Sequence, residues 1–155
     1  MNRVRLLGLL LMAVATIGLV GCGNSGPTLM TVTGTVTYQG NPVPKATVNI
    51  MPAKGAAAMA TTDDAGKFVA QTSGQPGVSV GPAKVMVTLV KMVGAPDKIE
   101  DSPEAAAKIS ELVNSGKIRY VSAIPTKYGN PDTTTLEITV SEDAAKNDFP
   151  LVLTD

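Results

Sequence analysis

From Thr31 the chain alternates, with Val32, Gly34, Val36 and Tyr38 on one side of an extended backbone and Thr31, Thr33, Thr35 and Thr37 on the other. Period two with a threonine face predicts a half-buried strand. Gln39-Gly40-Asn41-Pro42 is turn chemistry, and a second strand follows through Ala46, Val48 and Ile50. Pro52 to Gly55 break the alternation. Ala58 to Thr62 then lead through Asp63-Asp64-Ala65-Gly66 into Lys67 to Ala70, a strand-turn-strand order that predicts a hairpin. Gly74 to Gly81 form a Gly/Pro-rich connection. The apolar run from Lys84 to Lys91, through Val85, Met86, Val87, Leu89 and Val90, predicts a central strand buried on both faces.

The period changes after Asp97. Ser102 supplies a cap, Pro103 suits a first helical position and Glu104 lies in the first turn; Ala105, Ile109, Leu112 and Val113 share one face and Gly116 ends it. This predicts one amphipathic helix inserted at residues 101–116, whose default role is to pack on its own domain, a partner groove being the alternative. Ile118 to Ile124, Leu136-Ile138-Val140 and Phe149-Leu151-Leu153 give further strands, with a turn-rich stretch from Pro125 to Asp132. About seven short strands separated by turn signals predict an all-β fold, a Greek-key β-sandwich with one short helical insert.

The start of the chain is of another kind. Arg3 and Arg5 precede a run from Leu6 to Val20 that is apolar apart from Gly8, Thr16 and Gly18, and Gly21-Cys22 follow. A basic start, an apolar stretch and small residues at its end form an export signal. A permanent membrane helix is the weaker alternative, because the run falls short of the ~20 residues that span a bilayer. The domain plan is therefore a signal peptide at 1–21, a tether at 22–30 containing Asn24-Ser25-Gly26-Pro27, and one folded domain at 31–155.

Composition narrows the chemistry. The chain has 155 residues, 44% of them hydrophobic but 3% aromatic, so the core is aliphatic and stacking platforms are few. Lys plus Arg and Asp plus Glu both number 13; losing Arg3 and Arg5 with a leader leaves acidic residues in excess by two. Nucleic acid, which demands clustered cations, is not an expected partner. There is no histidine, and with it go the commonest general base and the commonest neutral metal ligand. No catalytic, cofactor or metal site is expected, and the protein is not expected to be an enzyme.

Three residue groups invite chemical readings. Asp63 and Asp64 could be half of a calcium site, but turn-forming aspartates explain them better, with Gly66 in the left-handed position. Glu100, Asp101, Glu104 and Glu111 contain carboxylates of the kind that cleave glycosides, yet their place near a helix start suits the helix dipole and solvation. Tyr120 and Tyr128 could touch a ligand at an exposed edge, core or turn packing being the stronger reading.

Leu19-Val20-Gly21-Cys22 resembles the lipobox of bacterial lipoproteins. The resemblance implies that the Cys22 sulfur accepts a diacylglyceryl group, that the chain is cut before Cys22, and that the freed amine is acylated too. As the sole cysteine, Cys22 has no intramolecular disulfide partner. Attachment to a membrane of the bacterial envelope is the expectation, and the sorting pattern of some Gram-negative lipoproteins implies the outer membrane rather than the inner, since Gly23 and not an aspartate follows.

Val32-Thr33-Gly34-Thr35-Val36, Pro42 to Val48 and Thr62-Asp63-Asp64-Ala65-Gly66-Lys67-Phe68 resemble the carboxypeptidase regulatory-like domain of the transthyretin-like sandwich group. Gly81 to Val85 stands where that group has a further strand with an aromatic, which is absent. Ile124 to Tyr128, Leu136 to Val140 and Phe149 to Leu151 are similar to small bacterial lipoproteins carrying the domain. The resemblance implies a non-catalytic module of an exported protein. Enzymes of the wider group that hydrolyse a purine-degradation intermediate use histidines, which this chain lacks. The expected role is a lipid-anchored structural or protein-interaction module, with an envelope protein or glycan as partner; a surface carbohydrate- or peptide-binding module is the alternative.

Overall fold

The structure is a computed structural model, and it describes residues 27–95 and 101–155. Cys22, the leader and the tether up to Gly26, together with Asp97 and Glu100, lie outside the described residues.

Two sheets enclose one aliphatic core. The first runs β14 (Asp148–Leu153), β2 (Thr33–Tyr38), β3 (Asn41–Pro42), with β6 (Lys67–Val69) also on β2. The second runs β13 (Glu137–Val140), β10 (Gly81–Thr88), β4 (Thr47–Pro52), β5 (Ala58–Thr61), β7 (Gln71–Thr72), β8 (Gln75–Pro76). Val36, Phe68, Leu151 and Leu153 from the first meet Val48, Ile50, Val85, Val87, Ile138 and Val140 from the second in a single buried cluster. That is the arrangement of a β-sandwich, in which alternate side chains of each strand fill the space between layers. β14 runs parallel to β2, while the other pairings within the two sheets are antiparallel.

The expected β2 strand is present, with Val32 and Val36 fully buried on one side. Its turn is shifted from the expected one: Gln39 and Gly40 take the positive φ angles (51° and 80°), while Asn41 and Pro42 already pair with Tyr38 and Thr37. Gly74 to Gly81 also hold more order than expected, since Ser73 and Gly74 make a two-residue turn between β7 and β8, and β9 (Val78–Ser79) pairs with β1 (Leu29–Met30).

The expected hairpin across Asp63 to Gly66 needs correction. The turn itself forms, but β5 pairs with β4 in one sheet and β6 with β2 in the other, so the turn is an arch between layers. The reason lies at Thr62, whose buried hydroxyl accepts from the Ala46 amide (2.8 Å) and donates to the Val43 carbonyl (2.7 Å). It ties the end of β5 to the crossing segment ahead of β4, and the chain then enters the opposite sheet.

The run from Lys84 to Lys91 is central but not buried on both faces. In β10, Ala83, Val85 and Val87 point inward while Lys84 is exposed and Met86 half-exposed, because the outer face of this sheet has no full covering layer. The strand ends at Thr88, and the residues after Leu89 leave the sandwich. β11 (Val90–Val93) and β12 (Arg119–Ser122) form a separate antiparallel ribbon, so Ile118 to Ile124 is no sandwich strand.

Between them, α1 (Pro103–Asn114) forms as expected. Ser102 Oγ accepts from the Ala105 amide (3.2 Å), Pro103 opens the helix and Gly116 ends it at φ 73°. No residue of α1 is fully buried, and Ala105, Ile109, Leu112 and Val113 are half-buried. Ile118, fully buried yet outside the main core, donates its amide to the Leu112 carbonyl (3.0 Å) and so belongs with the helix end. The helix thus contributes no residue to the main buried cluster.

Candidate functional site

Strand directions sort the molecule into two ends. Pro52 pairs with Ala83 and Thr47 with Thr88, so the start of β10 and the end of β4 share one end. The first described residues join it there: the Val80 amide donates to the Thr28 carbonyl, and Leu29 pairs with Ser79. The far end, reached after the eight residues of β10, about 25 Å away at strand rise, carries the Gln39-Gly40 turn, the Asp63–Gly66 arch, the Tyr128 loop and the ribbon.

Among the described residues the ribbon is the most exposed apolar surface. Of nine large hydrophobic side chains exposed among the described residues, five lie on its eight positions: Val90, Met92, Val93, Tyr120 and Val121. Register places Val90 opposite Ser122, Lys91 opposite Val121, Met92 opposite Tyr120 and Val93 opposite Arg119. Alternation then puts Val90, Met92 and Tyr120 on one face and Lys91, Val93, Arg119 and Val121 on the other. The strands carry Lys91 and Arg119 and no carboxylate. Clustered exposure of large apolar side chains is a feature of surfaces that meet a partner.

A concavity lies on the outer face of the larger sheet. A groove of about 470 Å³ is lined by Met51, Pro52, Pro82, Lys84, Pro131 and Glu137, among others. Lys84 Nζ donates to the Pro131 carbonyl (2.9 Å), which pins the loop to the sheet. Glu137 is the groove's one carboxylate, whereas glycoside cleavage requires two facing one bond.

The remaining candidates separate. Asp63 Oδ1 accepts from the Ala65 amide (2.9 Å) and the Lys67 amide (2.8 Å), and Gly66 takes φ 74°, so Asp63 is the turn-former that was expected. Asp64 is exposed beside it. No cluster of three metal-ligating side chains occurs among the described residues. Asp101, Glu104 and Glu111 are exposed on or beside α1. Tyr128 is buried, its hydroxyl donating to the Thr154 carbonyl (3.1 Å) and accepting from the Thr154 amide (3.0 Å). Tyr120 goes the other way and stands 60% exposed on the ribbon.

Sequence reasoning missed two features. One is the ribbon, hidden because its apolar residues look like those of a buried strand. The other is a clamp at the far end, where Tyr38 Oη donates to Asp155 Oδ1 and Gln39 Nε2 donates to Asp155 Oδ2 (2.9 Å). The Tyr38 hydroxyl, followed by Gln39, holds the Asp155 carboxyl below its ordinary range. The same contact raises the Tyr38 hydroxyl.

No helix among the described residues is long and apolar enough to cross a membrane. No family model matches the chain, and neither a curated protein nor a solved structure matches it.

Proposed function

We propose that the protein is a lipid-anchored, non-catalytic lipoprotein of the bacterial envelope, a β-sandwich held to a membrane through Cys22 and serving as a protein-interaction module. The observation that carries this reading is the string Leu19-Val20-Gly21-Cys22 at the end of an apolar run with a basic start. Each buried lipid methylene contributes about 0.8 kcal/mol, and more than one chain on Cys22 gives persistent anchoring. The transthyretin-like, carboxypeptidase regulatory-like relationship is part of this proposal and rests on the sequence motifs, with the all-β sandwich as the coarser support; it is a statement about fold and not about chemistry.

The two-ended layout supports the interaction role. Cys22 to Gly26 can reach at most about 18 Å, so an anchor at Cys22 keeps Pro27 near the lipid, with the ribbon at the opposite end of the sandwich. Fatty-acid labelling in cells tests the anchor. The wild-type chain takes up label and sediments with membranes, and Cys22→Ser does neither; a serine variant that is still labelled and still sediments refutes the reading. A second reading, a surface binding module for glycan or peptide, draws on the groove between Met51 and Glu137. Its shape admits a ligand, but the absence of Trp from the chain weighs against a sugar.

A further inference from the structure

The ribbon's open side carries directional information. The Leu89 carbonyl accepts from the Ala123 amide (2.8 Å), so Leu89–Ala123, Lys91–Val121 and Val93–Arg119 are the pairs whose backbones bond across the ribbon. By the alternation of an antiparallel ladder, Val90 and Met92 turn their N–H and C=O groups outward. β12 is the sole strand neighbour of β11 among the described residues. An extended chain laid along β11 would bond to Val90 and Met92. On one face its side chains would meet Val90, Met92 and Tyr120, and on the other Lys91 and Arg119 beside Val93 and Val121.

We propose that β11 is the docking edge for an extended segment of a partner protein in which carboxylate and apolar residues alternate. Apolar positions pack on Val90 and Met92 while carboxylates stand beside Lys91 and Arg119, the usual division between backbone affinity and side-chain selection in strand addition. A second copy of this chain fits poorly, because joining two β11 edges brings Lys91 toward its own equivalent with no carboxylate on the ribbon to offset it. A lipid surface is disfavoured by position, since the ribbon lies at the end away from Pro27. This names the partner chemistry of the interaction module and rests on that reading only for the orientation against lipid.

The sequence contains no Trp, so Tyr120→Trp places a single reporter on the ribbon. The full chain carrying it is reconstituted in phosphatidylcholine vesicles and titrated with a short synthetic peptide alternating Glu and Val. A saturable blue shift is expected, with no shift from the corresponding Lys and Val peptide. Charge reversal by Lys91→Glu with Arg119→Glu weakens the Glu and Val peptide by about tenfold or more and admits the Lys and Val peptide. Met92→Pro removes an outward amide while sparing the bonds to β12, so it abolishes binding; should that variant misfold by circular dichroism, the charge-reversed pair decides. No shift, or a shift that charge reversal leaves intact, overturns the proposal. So does a shift produced by phosphatidylglycerol vesicles without peptide, which assigns the ribbon to lipid, or one that grows with protein concentration alone, which assigns it to a second copy. The Cys22→Ser form of the reporter chain, titrated in solution without vesicles, is expected to give the same shift, so failure of the anchor and failure of the edge are read separately.

Discussion

Replacing Thr62 by Val changes little in shape and much in polar satisfaction. The Thr62 hydroxyl accepts from the Ala46 amide and donates to the Val43 carbonyl at 2.8 and 2.7 Å, and all three residues are buried. Valine offers a methyl group in its place, leaving one amide and one carbonyl without that partner. Each stranded buried group costs about 1–3 kcal/mol, so the loss is about 2–6 kcal/mol, toward the lower figure where water reaches the Val43 segment. Against a total stability of about 5–15 kcal/mol this is a large fraction. Urea unfolding followed by far-ultraviolet circular dichroism measures it. With a slope of about 2 kcal/mol per molar, the midpoint falls by about 1–3 M. Thr61→Val, one residue earlier and exposed, is the control and stays within about 0.5 kcal/mol of wild type. If Thr62→Val unfolds alongside that control, the hydroxyl does not hold the crossing and the account of the arch is wrong.

Asn147 is buried, its Nδ2 donating to the Ser141 carbonyl (2.9 Å) and its Oδ1 accepting from the Ser141 amide (2.8 Å); Asn147→Ala costs about 2 kcal/mol or more, read as a lower thermal midpoint. A Cβ on Gly34 would stand 2.7 Å from the Phe68 ring and closer still to the Phe149 carbonyl oxygen, so Gly34→Ala costs about 1–3 kcal/mol in the same melt, and an unchanged midpoint contradicts the packing between β2 and β14. Because its partners lower the Asp155 carboxyl, the clamp's contribution to stability is present above the ordinary carboxyl range and is lost as pH falls through the lowered value. Carboxyl carbon NMR detects this titration, and Tyr38→Phe moves it upward toward the ordinary range; an unmoved titration shows that the tyrosine hydroxyl is not the cause.

How much of this was legible in the sequence depended on whether a signal was local. The Ser102 cap, the Gly116 stop and the Asp63 turn were readable because side chain and backbone partner lie within a few residues. The partner of a strand was not. Ala58–Thr61 and Lys67–Val69 flank a tight turn and would make a hairpin by any local rule, yet they join different sheets, and the residue that decides it, Thr62, bonds to positions 16 and 19 residues away. Likewise Val85 and Val90 look alike in sequence, although one is fully buried and the other 60% exposed. The difference is what lies across from each strand: β10 faces the first sheet, and β11 faces solvent.

That exposure gives the ribbon's charges a double consequence. An edge rich in Val, Met and Tyr with outward amides is a template for uncontrolled pairing, and lysine or arginine on such an edge is a recognised guard against it. Lys91 and Arg119 serve as that guard against copies of the same chain. The repulsion that blocks self-pairing becomes attraction when the incoming strand carries carboxylates, so one pair of side chains both excludes the homotypic contact and selects the heterotypic one. Neutral substitutions at both positions therefore separate a passive guard from a recognition device. Lys91→Gln with Arg119→Gln increases self-association in either case, as sedimentation would show, but it weakens binding of the Glu and Val peptide only if the charges also choose the partner.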